Sequence, residues 1–163
     1  MNKPVRTEEF DANPDVASDY MYAVEQIGRL NSAMSMALEA KLQRPLNATQ
    51  AVLMYHIGDD GIAQADLFKR RLFLGSNLTY NLKKLIDGGY VVMKKLPDDR
   101  RSNLLYLTSK GLAIAEFVRT LYTKQAAAFG TSTGISAEDL KTFVCVARYL
   151  EQKFVHEAHF FGG

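Results

Sequence analysis

The sequence predicts a mainly α fold with a small β-hairpin, an α+β chain in which a helix–helix–hairpin lobe sits between long helices at each end. Three observations carry that expectation. Apolar residues recur three or four apart over long stretches near both ends, the spacing of one helical face. Two short β-rich runs, YVVMKKL and NLLYL, are separated only by PDDRRS, as in a hairpin with an extended loop. Lysine and arginine gather in the middle of the chain.

Taken in order, residues 1–15 read as a loose tail, with charges where a signal peptide would have its apolar centre. From Val16 to Gln43 a long helix is expected, with Tyr20, Val24, Ile27, Leu30, Met34 and Leu38 on one stripe and Pro45 ending it. Asn47 stands where an N-cap belongs, before the apolar helix ATQAVLMYHI, which GDDG stops. A third helix is expected over Ile62–Arg71 and a fourth over SNLTYNLKKLID, closed by Gly88 and Gly89. After the hairpin, Thr108 opens another long helix that GTSTG should break. Ser136 with Asp139 three residues on forms a capping-box pattern for a last helix to about His159. Three helices and a hairpin in about 60 residues make a winged helix-turn-helix. The expected organisation is a tail (1–15), an N-terminal helix (16–46), the lobe (47–110) and C-terminal helices (111–163). The flanking helices must bury their stripes against each other or against a second copy of the chain.

Composition narrows the function classes. With 163 residues and 47% hydrophobic content the chain can bury a core, and no stretch approaches the roughly 20 apolar residues of a membrane span. A single cysteine fits a reducing cytoplasm, the expected location. The net charge of +2 conceals a strong asymmetry. Residues 1–67 hold five Lys and Arg against ten Asp and Glu, residues 68–110 hold ten against three, and residues 111–163 hold five of each. A polyanion partner would be met in the middle segment.

Within that segment, residues 76–87 set on a helix place Leu78, Leu82 and Leu85 in one stripe, with Ile86 and Asn81 at its edges. Ser76, Asn77, Tyr80, Lys83 and Lys84 fall on the other side, a set suited to base edges, a thymine methyl and phosphates. Taken alone, that face fits a wet amphipathic helix as well as a DNA reader. The loop PDDRRS tips the balance. A hairpin that only connected two strands would favour Asn-Gly or Asp-Gly, whereas this loop ends in two permanently charged guanidinium forks, Arg100 and Arg101. Arginine is favoured in narrow A·T-rich minor grooves. One of the aspartates, Asp98 or Asp99, folds back to brace an arginine while the other arginine reaches out.

The run Asp99–Gly111, DRRSNLLYLTSKG, resembles the wing signature of the MarR family of winged-helix transcription regulators, D-x-R followed by L-T-x-x-G, matching Asp99, Arg101, Leu107, Thr108 and Gly111. LKKLIDGGYV and ISAEDLKTFVCVARYLEQKF are similar to that family's recognition-helix end and last helix, so the likeness spans about residues 17–155. It implies a homodimer of two DNA-binding lobes joined by the N- and C-terminal helices of both chains. It also implies that Asp99 and Arg101 brace the wing while Arg100 reads the minor groove of an inverted-repeat site in double-stranded DNA. Many members are repressors released by small aromatic or phenolic ligands. RRLFLGSN departs from the family by being more apolar than its usual turn.

Asn31, Met34, Tyr55 and His56 are candidates for binding such a ligand, in a Met- and Tyr-rich half whose stripes also suit a core or a dimer seam. Cys145, among Phe143, Val144 and Val146, reads as a buried structural thiol. His156 and His159 share a helical face but are too few to hold a metal, so no metal or cofactor is expected. No Ser–His–Asp grouping, phosphate loop or carboxylate pair points to an enzyme. Two classes remain: a dimeric sequence-specific DNA-binding regulator, and a protein-interaction module that keeps the winged-helix fold without reading DNA.

Overall fold

The computed structural model describes residues 14–42, 45–70, 75–95 and 103–160, with the side chains of residues 14, 16, 75, 76, 129 and 154–160 outside that description. The elements in chain order are α1 (Pro14–Leu42), α2 (Ala48–Ile57), β1 (Ile62–Ala63), α3 (Gln64–Lys69), α4 (Gly75–Asp87), β2 (Val91–Lys95), β3 (Asn103–Leu107), α5 (Ser109–Thr133) and α6 (Ala137–Phe160). The chain forms two compact units, Met1–Val118 and Arg119–Gly163, and the boundary falls within α5.

In the first unit the core is built from one face of each element. Leu38 and Leu42 of α1, Ala51, Leu53 and Met54 of α2, Leu67 of α3, Leu78, Leu82 and Leu85 of α4, Val91, Leu105, and Ile114, Ala115 and Val118 of α5 are all buried. Asn47 opens α2 with a full capping box: its side chain accepts from the Gln50 N–H at 2.8 Å, and its own N–H donates to Gln50 Oε1 at 3.2 Å. The expected closure of α4 at Gly88 and Gly89 is found. Gly89 takes a left-handed φ of 70°. The N–H groups of Gly89 and Tyr90 bond the Ile86 and Leu85 carbonyls at 3.0 and 2.9 Å, which satisfies carbonyls that the helix end leaves open.

The hairpin is one edge of a larger sheet. Strand order is β1-β3-β2, antiparallel throughout, with Val92 opposite Tyr106, Met93 opposite Leu105 and Ile62 also opposite Leu105. Ile62 and Ala63 therefore belong to a strand, and the third helix begins only at Gln64, two residues later than the sequence suggests. Gly61 makes the approach possible: its φ is 78°, and a Cβ there would meet the Leu105 carbonyl oxygen and the Tyr106 ring, both at 2.6 Å.

Along the stripe of α1, Val24 is half-buried and most of the other apolar residues before Leu38 are exposed. Tyr20, Ile27, Leu30 and Met34 are exposed although Leu38, on the same face, is buried.

In the second unit, α6 opens as the spacing predicts, with Ser136 N–H donating to Asp139 Oδ2 at 2.9 Å and Asp139 N–H to Ser136 Oγ at 3.1 Å. The preceding helix breaks within GTSTG as expected, but only at the last residue of that motif. It continues through Gly130 to Thr133 and ends at Gly134, φ 70°. The Thr131 and Ser132 hydroxyls bond the Ala128 carbonyl at 2.9 and 2.7 Å, the back-bonding by which hydroxyl side chains are accommodated within a helix. Cys145 is exposed rather than buried. Its neighbours Phe143, Val144 and Val146 are exposed too, because none of the described side chains of this unit is buried.

Candidate nucleic-acid interface

Helix α4 divides its side chains by periodicity. Leu78, Leu82 and Leu85 are 2%, 3% and 0% exposed, while Asn77, Thr79, Tyr80, Lys83 and Lys84 are exposed. Packing of the leucine stripe on the lobe thus turns an amide, a hydroxyl, a phenol and two ammonium groups outward together. The Lys84 ammonium lies 5.6 Å from the centre of the Tyr80 ring, a cation–π distance that orders both side chains on that face. Ser76 is on the same helix, but its side chain lies outside the described residues.

A tight junction holds the C-terminal end of α4 to the strands of the wing. The Thr108 hydroxyl donates to the Gly89 carbonyl at 2.8 Å, and the Thr108 N–H donates to the Tyr90 carbonyl at 3.0 Å. The same hydroxyl accepts from the Gly111 N–H at 3.3 Å, as an N-cap of α5. The L-T-x-x-G pattern is thereby explained: threonine caps one helix while closing the exit of another, and glycine lets the two backbones meet. Asn103 at the start of β3 donates to Gln64 Oε1 at 3.0 Å, fixing the wing base to the first turn of α3.

Lys94 and Lys95 of β2 are exposed, and the Lys94 ammonium stands 5.3 Å from the Tyr106 ring centre. These two lysines were not singled out by the sequence reasoning, although their place beside the wing loop is a usable signal. The loop itself, with Asp99, Arg100 and Arg101, lies outside the described residues.

The four ligand candidates fall into two pairs. Asn31 and Met34 are exposed on α1, and Tyr55 and His56 are half-buried on α2 with their rings edge to face at 5.3 Å. Burial draws the His56 imidazole below the ordinary histidine value, and the nearby Arg70 guanidinium adds to that effect. Arg70 also donates to the His56 carbonyl at 3.2 Å. A surface groove lies elsewhere in this unit, between the end of α1, the start of α2 and α4, lined by Glu39, Asn47, Gln50, Tyr80 and Lys84. It includes none of the four. The side chains of His156 and His159 lie outside the described residues, and among those described no group of three or more metal-ligating side chains occurs. No described helix is long and apolar enough to cross a membrane.

The winged helix DNA-binding domain family matches residues 46–111, the segment that holds α2 to the first turn of α5. A relative, the exopolysaccharide II synthesis transcriptional activator ExpG of Rhizobium meliloti (strain 1021), is 28% identical over 104 residues, 61% of this chain and 54% of that protein. The match thus spans about half the length of that relative. Among solved structures, Staphylococcus aureus MarR in complex with salicylate and kanamycin superposes with a TM-score of 0.67 at 19% identity, over 88% of this chain and 95% of that one. Streptococcus pneumoniae FabT in complex with DNA superposes with a TM-score of 0.64 at 16% identity, over 90% of this chain and 99% of that one. Both likenesses are of fold.

Proposed function

We propose that the chain, whose residues 46–111 match the winged helix DNA-binding domain family and whose fold is of MarR type, is a DNA-binding regulator rather than an enzyme, and that it acts as a cytoplasmic homodimeric repressor, reading an inverted-repeat site and releasing it on binding a small aromatic or phenolic acid. The observation that carries the reading is the outward set Asn77, Tyr80, Lys83 and Lys84 on α4, opposite a fully buried leucine stripe. A helix so divided presents hydrogen-bonding groups to base edges and cations to phosphates in one insertion. The wing follows: Arg100 reaches into the minor groove, and Asp99 braces Arg101.

Dimerisation is supported by the uncovered apolar residues. Ile27, Leu30 and Met34 of α1, and Phe143, Val146 and Tyr149 of α6, are exposed in the single chain. Surface of that kind marks a protein interface. We assign residues 16–46 and 111–163 to it and residues 47–110 to DNA binding. Two-fold symmetry then sets the half-sites about one DNA turn, roughly 34 Å, apart.

The effector class is supported by the salicylate bound to the Staphylococcus aureus protein, and Asn31, Met34, Tyr55 and His56 are the residues proposed for it. A ligand that favours a different lobe spacing lowers DNA affinity by its differential affinity for the two states. One observation favours a second reading of the output: ExpG is an activator.

A gel-shift titration on the DNA upstream of the chain's own gene, with and without salicylate, tests the proposal. Retarded DNA that salicylate frees supports it. No retardation favours the interaction-module alternative, and a complex indifferent to aromatic acids removes the effector clause. A reporter fused to the same DNA separates repression from activation.

A further inference from the structure

We infer that Asn81 is a positioning residue for DNA recognition: its hydrogen bond to Asn47 fixes the rotation of α4 about its own axis, and so decides which side chains the lobe presents to base edges. The inference rests on the reading of α4 as the DNA-reading helix.

Asn81 is 4% exposed, in a chain whose buried side chains are otherwise nearly all apolar. At 100° per residue it falls where the leucine stripe meets the exposed face of Asn77 and Lys84. An amide in such a place is costly unless its polar atoms are satisfied. Here both ends are. Asn81 Nδ2 donates to the Asn77 carbonyl at 2.8 Å, and Asn81 Oδ1 accepts from Asn47 Nδ2 at 3.3 Å. Asn47 is itself immobilised, since its Oδ1 caps α2 through Gln50 and the next N–H, of Ala48, donates to Glu39 Oε1 of α1 at 2.8 Å. Directional bonds therefore run from α1 through the α2 cap to the middle of α4.

Magnitude decides why that matters. Apolar packing is non-directional, and the Thr108 and Lys110 contacts restrain α4 only at its C-terminal end, so the amide bridge is the directional bond that sets the rotation of the middle of the helix. A rotation of about 20° would carry a side-chain tip ~7 Å from the helix axis sideways by about 2 Å. Hydrogen bonds to base edges do not survive such a displacement, whereas ammonium–phosphate attraction, which varies gently with distance, largely does. The amide bridge thus serves sequence discrimination more than overall affinity.

The test uses the full chain and two duplexes of equal length: one selected by the parent protein from a random-sequence pool, and one unrelated. Asn81→Leu extends the leucine stripe and removes the bridge. Asn47→Ser keeps an N-cap oxygen but is too short to reach Asn81. Affinities for both duplexes, the salt dependence and the melting temperature are measured for the parent, each variant and the double variant. The inference predicts folded proteins with unchanged salt slopes and a preference for the selected duplex reduced about tenfold. The double variant should lose no more than the worse single one, because both remove one bond. If Asn81→Leu does not fold, Asn47→Ser decides alone. A variant that keeps the parent's preference, or loses affinity equally on both duplexes, overturns the inference and leaves the DNA reading standing. A parent that prefers no duplex overturns the DNA reading and the inference with it.

Discussion

Lys110 lies over Tyr90, its ammonium 3.8 Å from the ring centre, and the same nitrogen donates to the Gly88 carbonyl at 2.9 Å. Tyr90 is buried directly after the turn that closes α4. The first turn of α5 is therefore fastened to the end of the candidate DNA-reading helix by a cation, a hydroxyl and a backbone contact at once. The junction ties the start of α5 and the end of β3 to the end of α4.

Gly111 gives that junction a test with a definite sign. Alanine in place of a helical glycine ordinarily stabilises by about 1 kcal/mol. At Gly111 a Cβ would overlap the Tyr90 carbonyl oxygen and press on a Leu107 methyl. Gly111→Ala should instead destabilise by roughly 1–3 kcal/mol, since backbone must shift to admit it, as read from urea denaturation midpoints. Gly130→Ala, whose Cβ would meet nothing within 4 Å, is the control expected to stabilise.

His56 predicts a pH dependence. Its folded value lies below 6.5, through burial first and Arg70 second. The unfolded chain then binds more protons than the folded one around and below 6.5, so stability falls as pH drops from about 7 through the folded value and is level above about 7. Melting temperatures measured from pH 5 to 8 should fall on the acid side for the parent, and His56→Gln should flatten part of that fall.

Ile27 and Leu30 test the proposed dimer seam. Both are exposed in the single chain, so Ile27→Glu with Leu30→Glu should leave the helical circular dichroism intact. By sedimentation at micromolar concentration the parent should run as a dimer and the variant as a monomer. A parent that is monomeric removes the seam.

The wing arginines and aspartate should behave unequally. Arg100→Ala should cost about 1–3 kcal/mol of DNA affinity and relax the preference for A·T pairs where the wing lands. Asp99→Ala should also weaken binding although it deletes a negative charge, because Arg101 loses its brace. Tighter binding by Asp99→Ala would show that the aspartate is only repelled by phosphate.

Local signals carried most of the fold. The capping patterns at Asn47 and Ser136, the α4 leucine stripe and the closing glycines are all encoded within a few positions, and each element stands where they put it. What was illegible is non-local. Two residues, Ile62 and Ala63, cannot show a strand period; their partners, Leu105 and Leu104, are some forty positions away. GTSTG reads as a break by composition, and the helix does stop at its last residue, Gly134; composition did not show that Gly130 to Thr133 stay helical, with the Thr131 and Ser132 hydroxyls bonded back to Ala128. For the candidate site, the outward set on α4 follows from 100° spacing. The same spacing puts Asn81 at the edge of the leucine stripe, but not its bond to Asn47, which is 34 positions away. Cys145 was expected inside because its neighbours are apolar, but on α6 those neighbours are themselves exposed.

The most direct measurement is the salt dependence of binding to the selected duplex for the parent and for Lys83→Ala with Lys84→Ala. If α4 enters the major groove with both ammonium groups on phosphates, log affinity falls linearly with log salt and the double variant lowers the slope by about 2. The preference for the selected duplex should survive, because Asn77 and Tyr80 are untouched. A double variant with the parent's slope and affinity would contradict the placement of α4 on DNA.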